Sequence, residues 1–218
     1  GREGAAAAAA AGDLAFLQYT SGSTSEPKGV MLTHGALAHN LRLIVRELAA
    51  GTDTVVVSWL PQYHDMGLIG AYLGVIKCGG AGYYLSPISF IKDPVLWVRS
   101  IDKYRGTHLQ APNFAYGLAA RKFQALGDRA PPVDLTCVRH MINGAEPVDV
   151  ATVRRFKEAF APRGLGEVVF PTYGLAEHCV FVCTGGRQEL HLNKHSLETE
   201  RRVCVVPPPP PPPALSRG

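Results

Sequence analysis

An α/β fold, a mainly parallel sheet wrapped by helices, is predicted by three observations on the 218-residue chain. Short apolar runs alternate with segments of helical periodicity in a β-α-β-α-β-α order. Runs such as Leu14 to Tyr19 and Thr54 to Trp59 have the composition of strands buried inside a sheet. Unusual polar content gathers in the segments that directly follow these runs, and parallel sheets bind ligands at the carboxyl ends of their strands.

Each element has its own signal. Leu14 to Tyr19 suits a strand buried on both faces and feeds straight into Thr20 to Gly29, a Ser/Gly-rich stretch. A helix follows, with Thr33 as its cap, Leu37, Leu41, Ile44 and Leu48 at helical spacing, and Gly51 placed to end it. Thr54 to Trp59 is β-branched and stops at Pro61, after which Met66 to Lys77 reads as a helix ended by Gly79-Gly80. Ala81 to Leu85 is the next strand. Asp93-Pro94 is a strong helix start, because Asp caps and Pro fits the first position, and Trp97, Val98 and Ile101 make the apolar face. Thr107 to Gln110 reads as strand, Asn113 to Ala125 as helix and Val138 to Ile142 as strand. Val150 to Phe160 reads as a helix with Val153, Phe156 and Phe160 inward, and Val168 to Phe170 as a strand.

The chain is 46% hydrophobic and 18% charged, the composition of a globular protein of one or two domains. Its net charge of +4 is spread along the sequence, unlike the clustered footprint of a nucleic-acid binder. No apolar run approaches the roughly 20 residues of a membrane span and no secretory leader is recognisable, so a cytoplasmic location is expected. The five cysteines form no CxxC pair and fit reduced thiols. No solenoid repeat is present. The expected organisation is a low-complexity segment over residues 1–13, a core over 14–185, an irregular tail over 186–206 and a polyproline tail over 207–218.

Four strand-end loops carry the candidate chemistry. Thr20, Ser21, Gly22, Ser23, Thr24 and Lys28 offer hydroxyls, close backbone approach and one positive charge, the needs of a phosphate loop. A P-loop is excluded, because Gly29-Val30 follows Lys28 where a hydroxyl would have to bind magnesium. By composition alone the stretch is equally an ordinary flexible connection. His64-Asp65 follows a proline-stiffened turn and is either a loop hydrogen bond or a working pair. Gly144 and Ala145 leave room for a flat ring, although Asn143 to Pro147 alone reads as a simple turn. Tyr173 and Glu177 supply an aromatic face and a carboxylate four residues apart, suited to stacking on a base and to holding magnesium, with core packing the rival role for Tyr173. His191 and His195 are one helical turn apart without a third metal ligand.

Together these loops resemble the core motifs of the adenylate-forming acyl-activating superfamily, in its fatty acyl-AMP ligase variant. The match is carried by Leu17 to Thr24, Pro27-Lys-Gly-Val-Met31, Ser58-Trp-Leu-Pro61 with His64 to Leu68, Pro112 to Tyr116, Asn143 to Val148 and Tyr173 to Glu177, spanning roughly residues 14 to 185. The resemblance implies a partial large domain of the acyl-adenylating fold, with ATP and Mg²⁺ as cofactors and a fatty acid as substrate. An acyl-carrier protein is the implied acceptor. It assigns Thr20, Ser21, Gly22, Ser23, Thr24 and Lys28 to the β- and γ-phosphates, and Gly144, Ala145, Glu146, Tyr173 and Gly174 to the adenine. Glu177 is assigned to magnesium, and His64 to the junction of acyl tunnel and nucleotide. Asn113 to Tyr116 would lie near the tunnel wall. Ser25 stands where the family usually has glycine, a loss of backbone freedom if that position needs φ > 0. No lysine-bearing C-terminal subdomain motif follows Glu177, so the chain reads as a central fragment. An adenylate-binding scaffold without catalysis and an acyl-CoA synthetase are the alternative readings.

Overall fold

The computed structural model describes residues 8–20, 27–186 and 189–208. Residues 1–185 form one compact unit and residues 186–218 a second. The first contains an antiparallel hairpin, β1 (Leu14–Thr20) with β2 (Lys28–Thr33), and a six-stranded sheet. That sheet comprises β3 (Val55–Ser58), β4 (Ala81–Tyr84), β5 (His108–Ala111), β6 (His140–Asn143), β7 (Val169–Tyr173) and β8 (Cys183–Thr184). Its order is β4-β3-β5-β6-β7-β8, and every neighbouring pair is parallel except β7 with β8. The mainly parallel, helix-wrapped sheet read from the sequence is therefore the observed architecture.

Side-chain alternation puts a core on each face of this sheet. Val57, Leu109, Met141 and Val169 point to one core, packed by α3 (Pro87–Lys92), α4 (Pro94–Tyr104), α5 (Asn113–Gln124) and α6 (Val150–Phe160). Ile142 points to the other, with Leu41 and Ile44 of α1 (His34–Glu47), Ile69, Cys179 and Phe181. The chain steps from β3 outward to β4 and then returns across β3 to β5. Its helices change faces at that reversal, as right-handed crossovers require. The switch point between β3 and β5 is where such sheets open a crevice.

Several elements follow their predicted physics. Thr33 Oγ1 accepts the Ala36 N–H at 3.2 Å and starts α1. Asp93 Oδ1 accepts the Val95 N–H at 3.2 Å, and Trp97, Val98 and Ile101 are buried under α4. Phe156 and Phe160 seal α6 against the core.

Other elements correct the sequence reading. Among the described residues β1 pairs with β2 alone, outside the six-stranded sheet, and Leu14, Leu17 and Tyr19 are exposed. α1 ends at Glu47 with Leu48 as its cap, and the left-handed residue that terminates it is Ala49, φ 48°, rather than Gly51; the Ala49 and Ala50 N–H groups close back on Arg46 O and Val45 O in a Schellman pattern. Met66–Leu73 is a π-helix that passes into α2 (Gly74–Cys78) and stops at Gly79, φ 74°. In the second unit, the segment read as irregular contains α7 (Lys194–Thr199), capped by Asn193 Oδ1 on the Ser196 N–H, and a Leu192–Val205 bridge. A local cap suffices for one short helix.

Candidate functional site

The two ends of the phosphate-type stretch lie in the β1–β2 hairpin, where Thr20 pairs with Lys28. Ser21, Gly22, Ser23 and Thr24, with Ser25, lie outside the described residues. Lys28 is exposed and forms no ion pair with a described residue, so its charge is available to an anion. Gln18 Nε2 donates to Tyr63 O at 3.2 Å and ties this hairpin to the loop after β3.

That loop is anchored by Trp59, whose indole stacks on Phe90 at 4.0 Å. His64 N–H reaches back to Pro61 O at 3.2 Å, a tight turn that holds the imidazole at the strand end. His64 Nδ1 lies 2.8 Å from Asp65 Oδ1 and 3.3 Å from the Met66 nitrogen. The shorter contact makes Nδ1–H a donor to the carboxylate and leaves Nε2 as the free ring nitrogen. The Asp65 hydrogen bond holds the His64 pKa above its ordinary 6.5 against the opposing effect of burial. Asp65 Oδ1 also accepts the Met66 N–H at 2.6 Å and so caps the π-helix.

After β6 the chain is gripped from beneath. Fully buried Tyr116 donates its hydroxyl to Ile142 O at 2.6 Å, and desolvation pushes its pKa far up, so it stays a neutral donor. Asn113 Oδ1 accepts from Asn143 Nδ2 at 3.0 Å and from the Asp149 N–H at 3.3 Å, closing the loop between them. Glu146, assigned by resemblance to the adenine, accepts the Phe114 N–H at 2.5 Å at the start of α5. Ala145 adopts φ 66°, a left-handed conformation that turns the chain over the sheet edge.

The segment after β7 is folded back on itself. A Cβ at Gly174 would stand 1.7 Å from Val180 O, so only glycine allows this approach. Cys179 is buried at φ 65°, ψ −67°, and the His178 carbonyl accepts the Val180 N–H at 2.8 Å across it, a strained γ-turn. Asn40 of α1 holds the next residue by both amide atoms: Nδ2 donates to Phe181 O at 2.8 Å and Oδ1 accepts the Phe181 N–H at 3.2 Å. Tyr173 presents an exposed ring, and Glu177 is exposed in a short 3₁₀ turn.

These pieces surround a cavity of about 190 Å³ at the carboxyl ends of β5, β6 and β7, far larger than the roughly 10–15 Å³ a single water needs. His64, Gly144, Ala145 and Gly174 line it, together with Ile44, Leu48, Gln110, Ile142, Val180 and Phe181. Of the other predicted residues, Thr20, Lys28, Glu146, Tyr173 and Glu177 are not in that lining, and Asn113 and Tyr116 support it from below. Gln110, Asn40 and the 179–181 segment were missed by motif reading. The signal for Gln110 and Asn40 was a polar residue inside an apolar strand or on an apolar helix face; the 179–181 segment carried none.

The profile of the AMP-binding enzyme family matches residues 2–207. The chain belongs to that family. The chain is 41% identical over 194 residues to the medium-chain-fatty-acid–[acyl-carrier-protein] ligase TtuA of Teredinibacter turnerae, covering 87% of this chain and 30% of that protein. It is 40% identical over 198 residues to the long-chain-fatty-acid–AMP ligase FadD32 of Mycobacterium marinum, covering 87% of this chain and 31% of that protein. The fatty acyl-adenylate ligase of L. pneumophila, solved with acyl adenylate and pyrophosphate, superposes with a TM-score of 0.78 at 41% identity, covering 82% of this chain and 31% of that one. The chain thus spans about a third of the length of these relatives. No helix among the described residues is long and apolar enough to cross a membrane.

Proposed function

We propose that this AMP-binding enzyme is the nucleotide-holding part of a fatty acyl-AMP ligase. In that reaction a fatty-acid carboxylate oxygen bonds to the α-phosphorus of ATP, the bond to the β-phosphate oxygen breaks, and pyrophosphate leaves. The observation that carries the reading is the convergence of His64, Gly144, Ala145 and Gly174, from three different strand ends, on one mostly apolar cavity. Such chemistry needs positioning and charge neutralisation more than a covalent partner.

Gly144, Ala145 and Gly174 would face the adenine, with the exposed Tyr173 ring stacking on it. Lys28, with Thr20 and the hydroxyls of Ser21, Ser23 and Thr24, would neutralise the β- and γ-phosphates. Magnesium usually takes one or two carboxylates and fills its shell with phosphate and water oxygens, so the single exposed Glu177 suits it. His64, protonated more readily because of Asp65, would stabilise charge where carboxylate and α-phosphate meet. The relative named as an acyl-carrier-protein ligase favours an acyl-carrier protein as acceptor, and the reaction suits the cytoplasm, where ATP is abundant.

Isothermal titration of the 218-residue chain with a dodecanoyl sulfamoyl adenosine, a stable acyl-adenylate mimic, tests this directly. Saturable one-to-one binding is expected, together with Mg²⁺-dependent ATP binding that Lys28→Ala weakens by about tenfold. Failure to bind either ligand would refute it.

A further inference from the structure

Gln110 is only 5% exposed, lines the cavity, and makes no side-chain hydrogen bond with any described residue. The walls near it are apolar: Ile44, Leu48, Met66, Ile142, Val180 and Phe181. Opposite stands Gly70 of the π-helix, where an added Cβ would come within 2.6 Å of Gln110 Oε1. The absence of a side chain at Gly70 thus leaves the amide its space and keeps it facing the cavity.

Its amide faces the cavity rather than a protein partner, so whatever fills the cavity, water or ligand, has to supply its hydrogen bonds. A polar group kept in an apolar pocket under those conditions fits a ligand that carries its partner. Register places it in depth. Gln110 pairs with Ile142, two residues before Gly144, so it lies about 7 Å down the strand from the proposed adenine edge. An acyl chain that enters from the adenylate would run past it.

We propose that Gln110 is a specificity determinant that selects an oxygenated acyl chain, one with a hydroxyl or keto group at the depth of its amide, over a plain alkyl chain. This rests on the acyl-adenylate reading of the site. Gln110 offers both a donor, Nε2, and an acceptor, Oε1, so a hydroxyl satisfies either atom and a ketone satisfies Nε2. A plain chain would cover the amide and leave it unpaired, which is why sites built around a hydrogen bond discriminate strongly against ligands that lack it.

The test uses the 218-residue chain and a series of acyl sulfamoyl adenosines of one length, one plain and the others hydroxylated at successive carbons, with unacylated sulfamoyl adenosine alongside. One hydroxyl position should bind about tenfold more tightly than the plain chain. In Gln110→Leu, and in Gln110→Met as the variant closest in shape, the ratio of the two affinities should fall to unity or invert. The ratio is read within each variant, so a general loss of folded protein does not mimic the effect. Plain chains binding as tightly as every hydroxylated one in the wild type, or a preference that survives both substitutions, would overturn the assignment. If unacylated sulfamoyl adenosine and all acylated forms fail to bind, the adenylate reading itself falls, and this one with it.

Discussion

Replacing Asn40 by leucine should loosen the cavity wall more than any surface change in α1. The two side chains are similar in size, so the substitution chiefly removes the paired hydrogen bonds to the Phe181 N–H and carbonyl. Asn40 is 5% and Phe181 6% exposed, so neither backbone group finds water easily. Leaving a buried donor or acceptor unmet costs about 1–3 kcal/mol each, which puts the total for the two groups at about 2–6 kcal/mol. Against a domain stability of about 5–15 kcal/mol that is a large fraction. Urea denaturation followed by circular dichroism measures it as a fall in midpoint at unchanged slope. Asn40→Asp adds a sign test. Its carboxylate can accept from the Phe181 N–H but faces Phe181 O with lone pairs, so only the protonated acid restores both bonds. The folded-state pKa of that aspartate would be raised, so its contribution is complete in acid and is lost as pH rises through the folded value. A Leu variant within about 0.5 kcal/mol of wild type would refute the reasoning, by placing the clamp outside the forces that hold residues 179–181.

Tyr116→Phe removes the donor to Ile142 O beneath the Asn143–Gly144 turn and should cost about 1–2 kcal/mol in the same denaturation assay. Burial holds the pKa values of stacked His108 and His140 below 6.5, so the unfolded chain takes up more protons there and stability should fall as pH drops below that value. A His108→Gln chain, which keeps a donor toward Leu48 O, should show a flatter melting-temperature profile across that range. His64 acts in the opposite sense: with its pKa raised by Asp65, affinity for an adenylate mimic should be full in mild acid and decline as pH passes above 6.5. Asp65→Asn, which can still cap Met66, should move that decline to lower pH in titrations at several pH values.

The parallel sheet was legible because its signals are local and redundant. Thr33 and Asp93 announce helix starts with one side chain each, and both make the hydrogen bonds their positions suggest. Three of the four polar loops could be read together because parallel strands bring their carboxyl ends together, and His64, Gly144, Ala145 and Gly174 line one cavity; the fourth follows β1, in the separate antiparallel hairpin. The rest had no local signal. Met66–Leu73 is apolar nearly all round, so periodicity could not separate a π-helix from an α-helix. Leu14 to Thr20 suits an interior strand and a hairpin equally well, and only pairing with β2 decides. The clamp on Phe181 spans 141 residues in sequence, and the exposure of Gln110 to the cavity depends on a glycine 40 positions earlier. Such contacts are properties of the assembled fold rather than of any window of sequence.

The most direct test of acyl adenylation is fatty-acid-dependent exchange of labelled pyrophosphate into ATP, measured after this chain replaces the matching segment of the L. pneumophila ligase. With folding verified by calorimetry, exchange well above background is predicted, falling at least tenfold in Lys28→Ala and in Glu177→Ala. A folded chimera whose exchange does not depend on fatty acid, or is unchanged by both substitutions, would contradict the account.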